Sequence, residues 1–212
     1  MIGILTNHWS EFLSGFWNTI LCSLIALFFS LILGVGFALL EVAPNKFGRA
    51  VAHVYIEIFR NIPLLVITMI FYLVVPQIWF KVSGFAAGTI GLTLYTSAFI
   101  AETVRAGINS VGDGQMEGAR SNGMTYMQAM YHVIIPQALN KMIPSLLSQF
   151  VSLVKDTSLA TIIVLPELLF HAQIIYSQNT TYLIPMYVII AITYFIVCFS
   201  LSMIAKHLQS KY

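Results

Sequence analysis

The sequence predicts an all-α integral membrane protein with about five transmembrane helices. Of its 212 residues, 58% are hydrophobic and only 8% are charged, and the mean hydropathy is +0.86. Soluble domains carry about 25% charged residues, because their surface must stay hydrated. The charged fraction here is too small to cover a water-exposed surface of this size. A net charge of +2 with no basic face also argues against a nucleic-acid partner.

Five mainly apolar stretches approach the roughly 20 residues that a helix needs to cross a bilayer, although the third contains Glu102 and Arg105 and the fourth contains Lys141. The first contains Trp17 near its start, a residue type that favours the membrane interface. The fourth is the most polar, because it holds Pro144, Gln149 and Ser152, so we expect it to face protein or a water-filled path. The predicted spans are residues 15–40, 61–80, 85–107, 137–154 and 182–205. No repeat or flexible linker stands out, and we expect one transmembrane domain over residues 1–212.

The distribution of positive charge predicts an orientation with the N-terminus outside. Lys and Arg are enriched in the cytoplasmic loops of membrane proteins. With the N-terminus outside, only Lys81 stays on the outer side, and Lys155 lies at membrane depth. The inner segments then hold Lys46, Arg49, Arg60, Arg105, Arg120, Lys141, Lys206 and Lys211. An odd number of spans therefore places the C-terminus in the cytoplasm.

The most polar segment of the chain lies between the third and fourth predicted spans. In this segment Gly118 and Ala119 follow Glu117, so two small residues lie beside one acid. Small residues let another surface approach closely, Gly123 permits a sharp turn, and Pro136 marks entry to the next element. The segment is either a docking helix for a soluble partner or an ordinary amphipathic loop between spans.

The spacing of these residues resembles the EAA loop of ABC importer permeases. That pattern reads Glu-Ala-Ala, three residues, Gly, nine residues, then Ile-x-Leu-Pro. The spacing is kept throughout, and Gly118 stands in place of Ala, Val133 in place of Ile and Ile135 in place of Leu. The resemblance implies that residues 109–136 form a coupling loop whose short helix sits on an ATPase subunit. The residues it assigns to this coupling are Glu117, Gly118, Ala119, Gly123 and Pro136.

Three further stretches extend the resemblance to the polar amino-acid subfamily of these permeases. They are EIFRNIPLL at residues 57–65, AETVRAGI at residues 101–108 and LVKDTSLA at residues 153–160. The resemblance implies the type I ABC importer permease fold in a bacterial cytoplasmic membrane. It also implies three kinds of partner: an ATPase dimer, a second permease subunit that is identical or similar, and an extracytoplasmic amino-acid-binding protein. The chain lacks a GxxxxGK[ST] phosphate loop, so ATP and Mg²⁺ are expected in the ATPase partner.

Lys155 and Asp156 form the second group of candidate residues. Unpaired charge at membrane depth is costly, so such residues usually pair or serve function. A zwitterionic amino acid offers a carboxylate to Lys155 and an ammonium group to Asp156 or to hydroxyls. The alternatives are a structural Lys–Asp pair, or a lysine that reaches the outer interface. The resemblance implies that this part of the fourth helix faces the translocation path. The candidate substrate-binding residues are Leu64, Gln149, Ser152, Lys155, Asp156 and Ser158, and packing or lipid contact is the alternative for Leu64.

The neutral amide of Gln149 favours glutamine, glutamate or a similar substrate. In an arginine-type permease we would expect an acid near this position, to meet a cationic side chain. On the third span, Glu102 and Arg105 lie three residues apart on one helix face. This pair either braces the coupling loop or closes the inner mouth of the path.

A second interpretation of the chain is an ion-coupled secondary amino-acid transporter. Such carriers often show internal repeats with broken helices in matching halves, and no duplication is visible here. The long polar inner segment favours a soluble partner instead. The five histidines have no metal-ligand spacing, and no nucleophile–base pair stands out. We therefore expect a transport subunit that is not an enzyme, with no catalytic residue, metal site or cofactor of its own.

Overall fold

A computed structural model describes residues 2–209, and these residues are nearly all helical with no β-strand among them. Four helical runs within this range have the length and apolar composition to cross a membrane, and a sharply bent pair makes a fifth. The four runs are Trp9–Val42, Gly84–Asn109, Tyr126–Ile163 and Thr180–His207, and the bent pair is Lys46–Asn61 with Leu64–Ile78. The predicted all-α architecture of about five spans is confirmed. The predicted inner cation Lys211 lies outside the described residues.

The α-helices are α1 (Ile2–Asn7), α2 (Trp9–Val42), α3 (Lys46–Asn61), α4 (Leu64–Met69), α5 (Val75–Ile78), α6 (Gly84–Asn109), α7 (Asp113–Ser121), α8 (Tyr126–Ala129), α9 (Ile135–Asp156), α10 (Leu168–Gln178) and α11 (Leu183–Gln209). Single π-helical turns at Ile70–Val74 and Met130–Ile134 join α4 to α5 and α8 to α9. Short 3₁₀ turns lie at Thr157–Ile163 and Thr180–Tyr182.

The first and third spans, α2 and α6, pack side by side in the same direction along small residues. In lipid the hydrophobic effect does not drive helices together, so close backbone packing by small residues does. A Cβ atom added to Gly34 would lie 2.7 Å from the carbonyl oxygen of Ser97, so the two backbones approach too closely for any larger residue. Ser30 donates a hydrogen bond of 3.0 Å to the carbonyl of Thr93. The buried face of α2 consists of Gly15, Thr19, Cys22, Ser23, Ala26, Ser30, Gly34 and Ala38.

The second span is bent by 101° between α3 and α4. Ile62 caps α3 in an extended conformation, with φ −95° and ψ 129°, because a proline at position 63 disfavours helix geometry in the residue before it. The sequence placed this span at residues 61–80 and treated the preceding stretch as polar loop. The straight part, Leu64–Ile78, rises only about 22 Å at 1.5 Å per residue, less than the roughly 30 Å of a bilayer core. The bend leaves the amphipathic helix α3 almost perpendicular to Leu64–Ile78, so α3 leads into the second span but adds little to its length.

Both π-helical turns lie directly before a proline. Val75 donates its N–H to Ile70, and Ile135 donates to Met130, five residues back in each case. A proline has no N–H, and its ring clashes with the carbonyl four residues earlier; the wider π turn moves that carbonyl aside. Pro136 lies in the first turn of α9, as predicted, but the π-helical turn joins α9 to α8 without a break in the helical run. The fourth span runs from Tyr126 to Ile163 without a break, beyond both ends of the predicted 137–154.

The chain turns back after the fourth span through a buried acid that begins α10. Glu167 has no exposed surface, and its carboxylate accepts hydrogen bonds from the hydroxyls of Thr161 at 2.5 Å and Tyr194 at 2.8 Å. It also accepts from the backbone N–H groups of Leu169 at 2.8 Å and Phe170 at 2.7 Å. These four donors come from the end of the fourth span, from α10 and from α11. We call this arrangement the outer joint; the terms outer and inner follow the orientation that the distribution of positive charge predicts.

Candidate coupling surface and transport path

The helix α7 presents an exposed face beyond the ends of α6 and α9. Glu117 and Gly118 are exposed, and a Cβ atom added to Gly118 would meet no atom within 4 Å. Ala119 points the other way and is only 7% exposed. The predicted coupling residues therefore divide into an outward group and one inward anchor. We call residues 117, 118 and 120–123 the coupling surface.

Gly123 ends α7 in a left-handed conformation, with φ +86°. The N–H of Gly123 donates to the carbonyl of Arg120 at 3.0 Å, and the N–H of Met124 donates to the carbonyl of Ala119 at 3.2 Å. This pair of bonds is the Schellman motif, in which glycine takes the positive φ at little cost. Gly123 therefore shapes the turn that follows α7, and Glu117 lies in the middle of that helix.

The segment after Gly123 is fixed to the first span. Thr125 caps α8, and its hydroxyl accepts from the N–H of Gln128 at 3.3 Å while the Gln128 side chain accepts from the N–H of Thr125 at 2.8 Å. One residue later, the hydroxyl of Tyr126 donates to the carbonyl of Val42 at 2.9 Å. Val42 is the last residue of α2. The hydroxyl of Tyr126 therefore connects the segment after α7 to the end of the first span.

Two side chains of the fourth span form hydrogen bonds with α7 and with the segment that precedes it. The ammonium group of Lys141 donates to the carbonyl of Ser110 at 2.6 Å, just beyond the end of α6. The amide of Gln137 donates to Gln115 of α7 at 3.3 Å. Pro136, which precedes Gln137 and follows the π-helical turn, is exposed. The coupling surface is thus connected to α2, α6 and α9 at once.

The candidate substrate residues occupy two different environments. Lys155 is exposed and lines an open groove of about 310 Å³ between α9 and α11, together with Ser152. No salt bridge within 4.0 Å joins Lys155 to Asp156 in the described part of the chain. The side chains of Asp156 and Gln149 are half-buried. The expected alternative of a close structural Lys–Asp pair is not what the geometry shows.

Leu64 and Ser158 are engaged in contacts within the protein. Leu64 is 5% exposed and belongs to a core cluster with Leu153 and Ala160. The hydroxyl of Ser158 donates to the carbonyl of Lys155 at 2.7 Å. In this structure Leu64 is therefore a packing residue, which was the stated alternative for it. Substrate contact by any of these six residues stays a prediction.

The family of the chain follows from a comparison with known proteins. Residues 26–212 match the family model described as "Binding-protein-dependent transport system inner membrane component". The chain belongs to this family. It is 42% identical over 210 residues to the probable glutamine ABC transporter permease protein GlnM of Bacillus subtilis (strain 168), with 99% of this chain and 97% of the relative covered.

Further relatives of this permease are named for more than one amino acid. It is 40% identical to the probable glutamine ABC transporter permease protein GlnP of Bacillus subtilis, with 94% of each chain covered. It is 35% identical to the L-cystine transport system permease protein TcyB of the same organism, with 97% of this chain and 88% of the relative covered.

The solved structures agree with the predicted fold. The structure titled "Crystal structure of an amino acid ABC transporter with histidines" superimposes with a TM-score of 0.91 at 33% identity, covering 98% of this chain and 97% of that one. The MetNI methionine ABC transporter, at 21% identity and a TM-score of 0.75, shows the same fold. The type I ABC importer permease fold is confirmed, and the chain is an ABC importer permease subunit, not an ion-coupled carrier.

The inner ends of the first three spans of the permease are joined by an inner charged cluster of Glu41, Arg60, Glu102 and Arg105. Arg105 donates two hydrogen bonds to Glu102, at 2.6 and 3.0 Å. Looser ion pairs join Arg60 to Glu102 at 3.5 Å and Arg105 to Glu41 at 3.7 Å. The predicted Glu102–Arg105 pair is present, and it links α6 to α2 and α3 as a brace.

Sequence reasoning missed three residues that organise the permease. Tyr126 and Lys141 make their contacts to distant backbone carbonyls, which no local pattern reveals. Glu167 had a recognisable pattern, because it follows Pro166 and precedes an apolar run, as the acid at a helix N-cap often does. A lone acid in such an apolar region is best explained by burial with several donors.

Proposed function

We propose that this permease imports a polar amino acid, glutamine or glutamate, using ATP hydrolysed by a separate ATPase dimer. The observation that carries the proposal is the coupling surface. Its residues Glu117 and Gly118 are exposed, while hydrogen bonds connect α7 and the segments beside it to α2, α6 and α9. A second permease subunit, identical or similar, completes the transmembrane path. An extracytoplasmic binding protein delivers the amino acid.

The coupling step follows from the contacts behind α7. Closure of the ATPase dimer pushes on the exposed face at Glu117 and Gly118, where the missing side chain of Gly118 leaves room for a partner residue. Because Ala119 is buried against the rest of the protein, α7 moves together with the helices behind it. The push then reaches α2 through Tyr126 and α6 through Lys141. ATP and Mg²⁺ belong to the ATPase, and this chain supplies only the moving path.

The orientation proposed for the permease places the coupling surface in the cytoplasm. Lys46, Arg49 and Arg120 then lie on the inner side, as the enrichment of cations in cytoplasmic loops requires. The outer joint lies on the opposite side, toward the binding protein. The N-terminus is outside and the C-terminus is cytoplasmic in this arrangement, in a bacterial cytoplasmic membrane.

The substrate class rests on the chemistry of the fourth span together with the glutamine transporters among the relatives. Lys155 offers an exposed ammonium group for the α-carboxylate of an amino acid. Asp156 offers a carboxylate for its α-ammonium group. Gln149 lies less than two helical turns away and carries a neutral amide, which suits an amide or a carboxylate side chain better than a cationic one.

The test is uptake in vesicles that contain both transmembrane subunits and the ATPase, with the binding protein outside and ATP inside. We expect labelled L-glutamine to enter only with hydrolysable ATP, also when ion gradients are collapsed. Unlabelled glutamine and glutamate should compete better than arginine. Uptake that requires an ion gradient, or that arginine blocks best, would overturn the proposal.

A variant pair isolates the docking step. Gly118→Trp fills the open space on α7 without a clash inside this chain, and Gly118→Ala adds only a methyl group. We expect the Trp variant to insert normally but to lose ATP-driven uptake, while the Ala variant keeps it. Equal uptake by both variants would show that no partner contacts this face.

A further inference from the structure

A mixed-charge pocket lies at the inner ends of α2, α3 and α6, apart from the groove that contains Lys155. Its volume is about 400 Å³, within the range of roughly 300–1,000 Å³ that holds small ligands in proteins. Five of the six residues that line it are polar or charged. The lining residues are Glu41, Val42, Arg49, His53, Arg105 and Asn109.

The pocket contains a buried acceptor with an unfilled position. The Glu41 side chain is 12% exposed, and its Oε1 lies 3.2 Å from Nδ1 of His53. Its Oε2 is buried and has no hydrogen-bond partner within residues 2–209. Nε of Arg105 lies 3.7 Å from this oxygen, too far for a hydrogen bond. A buried carboxylate oxygen without a donor is unfavourable, so a ligand with an N–H donor is stabilised there.

The pocket also contains a cation that the protein leaves unpaired. The Arg49 side chain makes no hydrogen bond and no ion pair in the described part of the chain. Arg105, by contrast, is fixed by its two hydrogen bonds to Glu102. A guanidinium group with five free donors matches a carboxylate, which it binds through two parallel hydrogen bonds.

Glu41 Oε2 accepts no hydrogen bond, and the guanidinium group of Arg49 has no partner in the described part of the chain, so the pocket offers one acceptor and one donor group to a zwitterion. A phosphate or a dicarboxylate would place an unpaired anion against Glu41, and a simple cation would bring no carboxylate to offset the positive charges of Arg49 and Arg105. An α-amino acid satisfies both ends, with its ammonium group on Glu41 and its carboxylate on Arg49. The amide of Asn109 is available for a polar side chain.

The position of the pocket connects it to the coupling surface. Val42 lines the pocket, and its carbonyl accepts the hydrogen bond from Tyr126. Asn109 ends α6, four residues before α7 begins. We propose that the transported amino acid binds this pocket from the cytosol and that its binding slows the transport cycle. The inference rests on the proposed function, which supplies both the amino acid and the cytoplasmic orientation.

The experiment uses the complete transporter in vesicles, with the binding protein outside and ATP inside. Unlabelled L-glutamine is loaded inside at increasing concentration, and the initial rates of labelled glutamine uptake and ATP hydrolysis are measured. Each rate is divided by the rate of the same variant without internal glutamine. We expect wild type to slow as internal glutamine rises. Internal N-acetyl-L-glutamine, which lacks the ammonium group, should leave the rate unchanged.

Arg49→Gln tests the pocket, and Lys46→Gln is the control, because Lys46 is a cation of the same helix outside the lining residues. We expect Arg49→Gln to raise the half-inhibitory glutamine concentration about tenfold, the size expected for one charged hydrogen bond. Lys46→Gln should be inhibited like wild type.

Several results would overturn the inference. Wild-type uptake that is ATP-driven but insensitive to internal glutamine rejects the pocket and leaves the proposed function intact. The pocket is also rejected by equal inhibition of wild type and Arg49→Gln, or by inhibition through N-acetyl-L-glutamine. Absence of ATP-driven glutamine uptake in wild type overturns the proposed function and this inference with it.

Discussion

The outer joint and the inner charged cluster both connect several helices through acids, but they do so in different ways. In the outer joint, Glu167 is fully buried and accepts four hydrogen bonds between 2.5 and 2.8 Å. In the inner charged cluster, Glu102 and Arg105 form one tight pair, and the remaining ion pairs of 3.5 and 3.7 Å are too long for hydrogen bonds. The side chains of Glu102 and Arg105 are 26% and 34% exposed, and that of Glu41 is 12% exposed.

This difference predicts different mechanical roles for the two regions. Breaking the outer joint leaves buried donors without an acceptor, so the end of the fourth span, the start of α10 and the middle of α11 are held as one unit. The ion pairs that join α2 and α3 to α6 are longer than hydrogen bonds and contribute little, so these helices can shift against one another at the inner end. A transporter driven from the cytoplasm needs movement at that end.

Removing the acid of the outer joint should have the largest effect. Glu167→Ala leaves four donors without their acceptor, and each buried unsatisfied group costs about 1–3 kcal/mol. We expect a loss of at least about 3 kcal/mol of stability, seen as a much lower Tm in detergent and poor recovery of folded protein. Glu57→Gln, which removes a more exposed acid, is the control. An unchanged Tm for Glu167→Ala would mean that the outer joint is not the rigid region.

The turn at Gly123 should be the most sensitive point of the inner side. A non-glycine residue at a left-handed position costs about 1–2 kcal/mol, so Gly123→Val should weaken α7 and reduce uptake while the spans stay intact. Gly123→Asn is the matched control, because Asn tolerates this conformation. Circular dichroism should show unchanged helix content for both. Equal uptake by the Val and Asn variants would contradict the role of the turn.

The link from the coupling surface to the first span should have a smaller effect. Tyr126→Phe removes the hydrogen bond to the carbonyl of Val42, worth about 1 kcal/mol. We expect little change in Tm but more ATP hydrolysed per amino acid imported, because part of the push no longer reaches α2. The ratio of ATPase rate to uptake rate in vesicles measures this. A ratio equal to that of wild type would remove Tyr126 from the coupling route.

The smallest effect is expected for the exposed pair of Arg60 and Glu57. The pair is 3.7 Å long, and the Glu57 side chain is 49% exposed. Such pairs within a helix contribute about 0.3–0.5 kcal/mol, so Glu57→Gln should shift the Tm hardly at all. A large loss of stability would show that this pair, which meets the inner charged cluster at Arg60, is held as tightly as the outer joint.

Composition and charge predicted the number and approximate positions of the spans, because the bilayer sets the apolar length that a transmembrane helix needs. They did not predict the bend in the second span or the full length of the fourth. Spacing alone left residues 117–123 as either a docking helix or an ordinary loop, and only the resemblance to the EAA loop favoured docking. The sequence also predicted a turn at Gly123, because few residues other than glycine take a positive φ at low cost.

Other features depend on tertiary contacts that spacing does not encode. Pro136 was expected to begin a new element, and only the structure shows the π-helical turn that carries the helix past it. Leu64 lies after a bend of 101°, so the face it presents could not be derived from periodicity. The burial of Glu167 depends on Thr161 and Tyr194, which the fold brings together across 33 residues of sequence. These are the places where packing, rather than local preference, decides the structure.

The chemical accessibility of position 118 tests whether the coupling surface lies in the cytoplasm and contacts the ATPase subunit. A Gly118→Cys variant is prepared in a background with Cys22→Ala and Cys198→Ala, and cells are treated with a membrane-impermeant maleimide. We predict no labelling in intact cells, labelling after permeabilisation, and protection when the ATPase subunit is bound. Labelling of intact cells from outside would contradict both the orientation and the docking of a cytoplasmic ATPase on this surface.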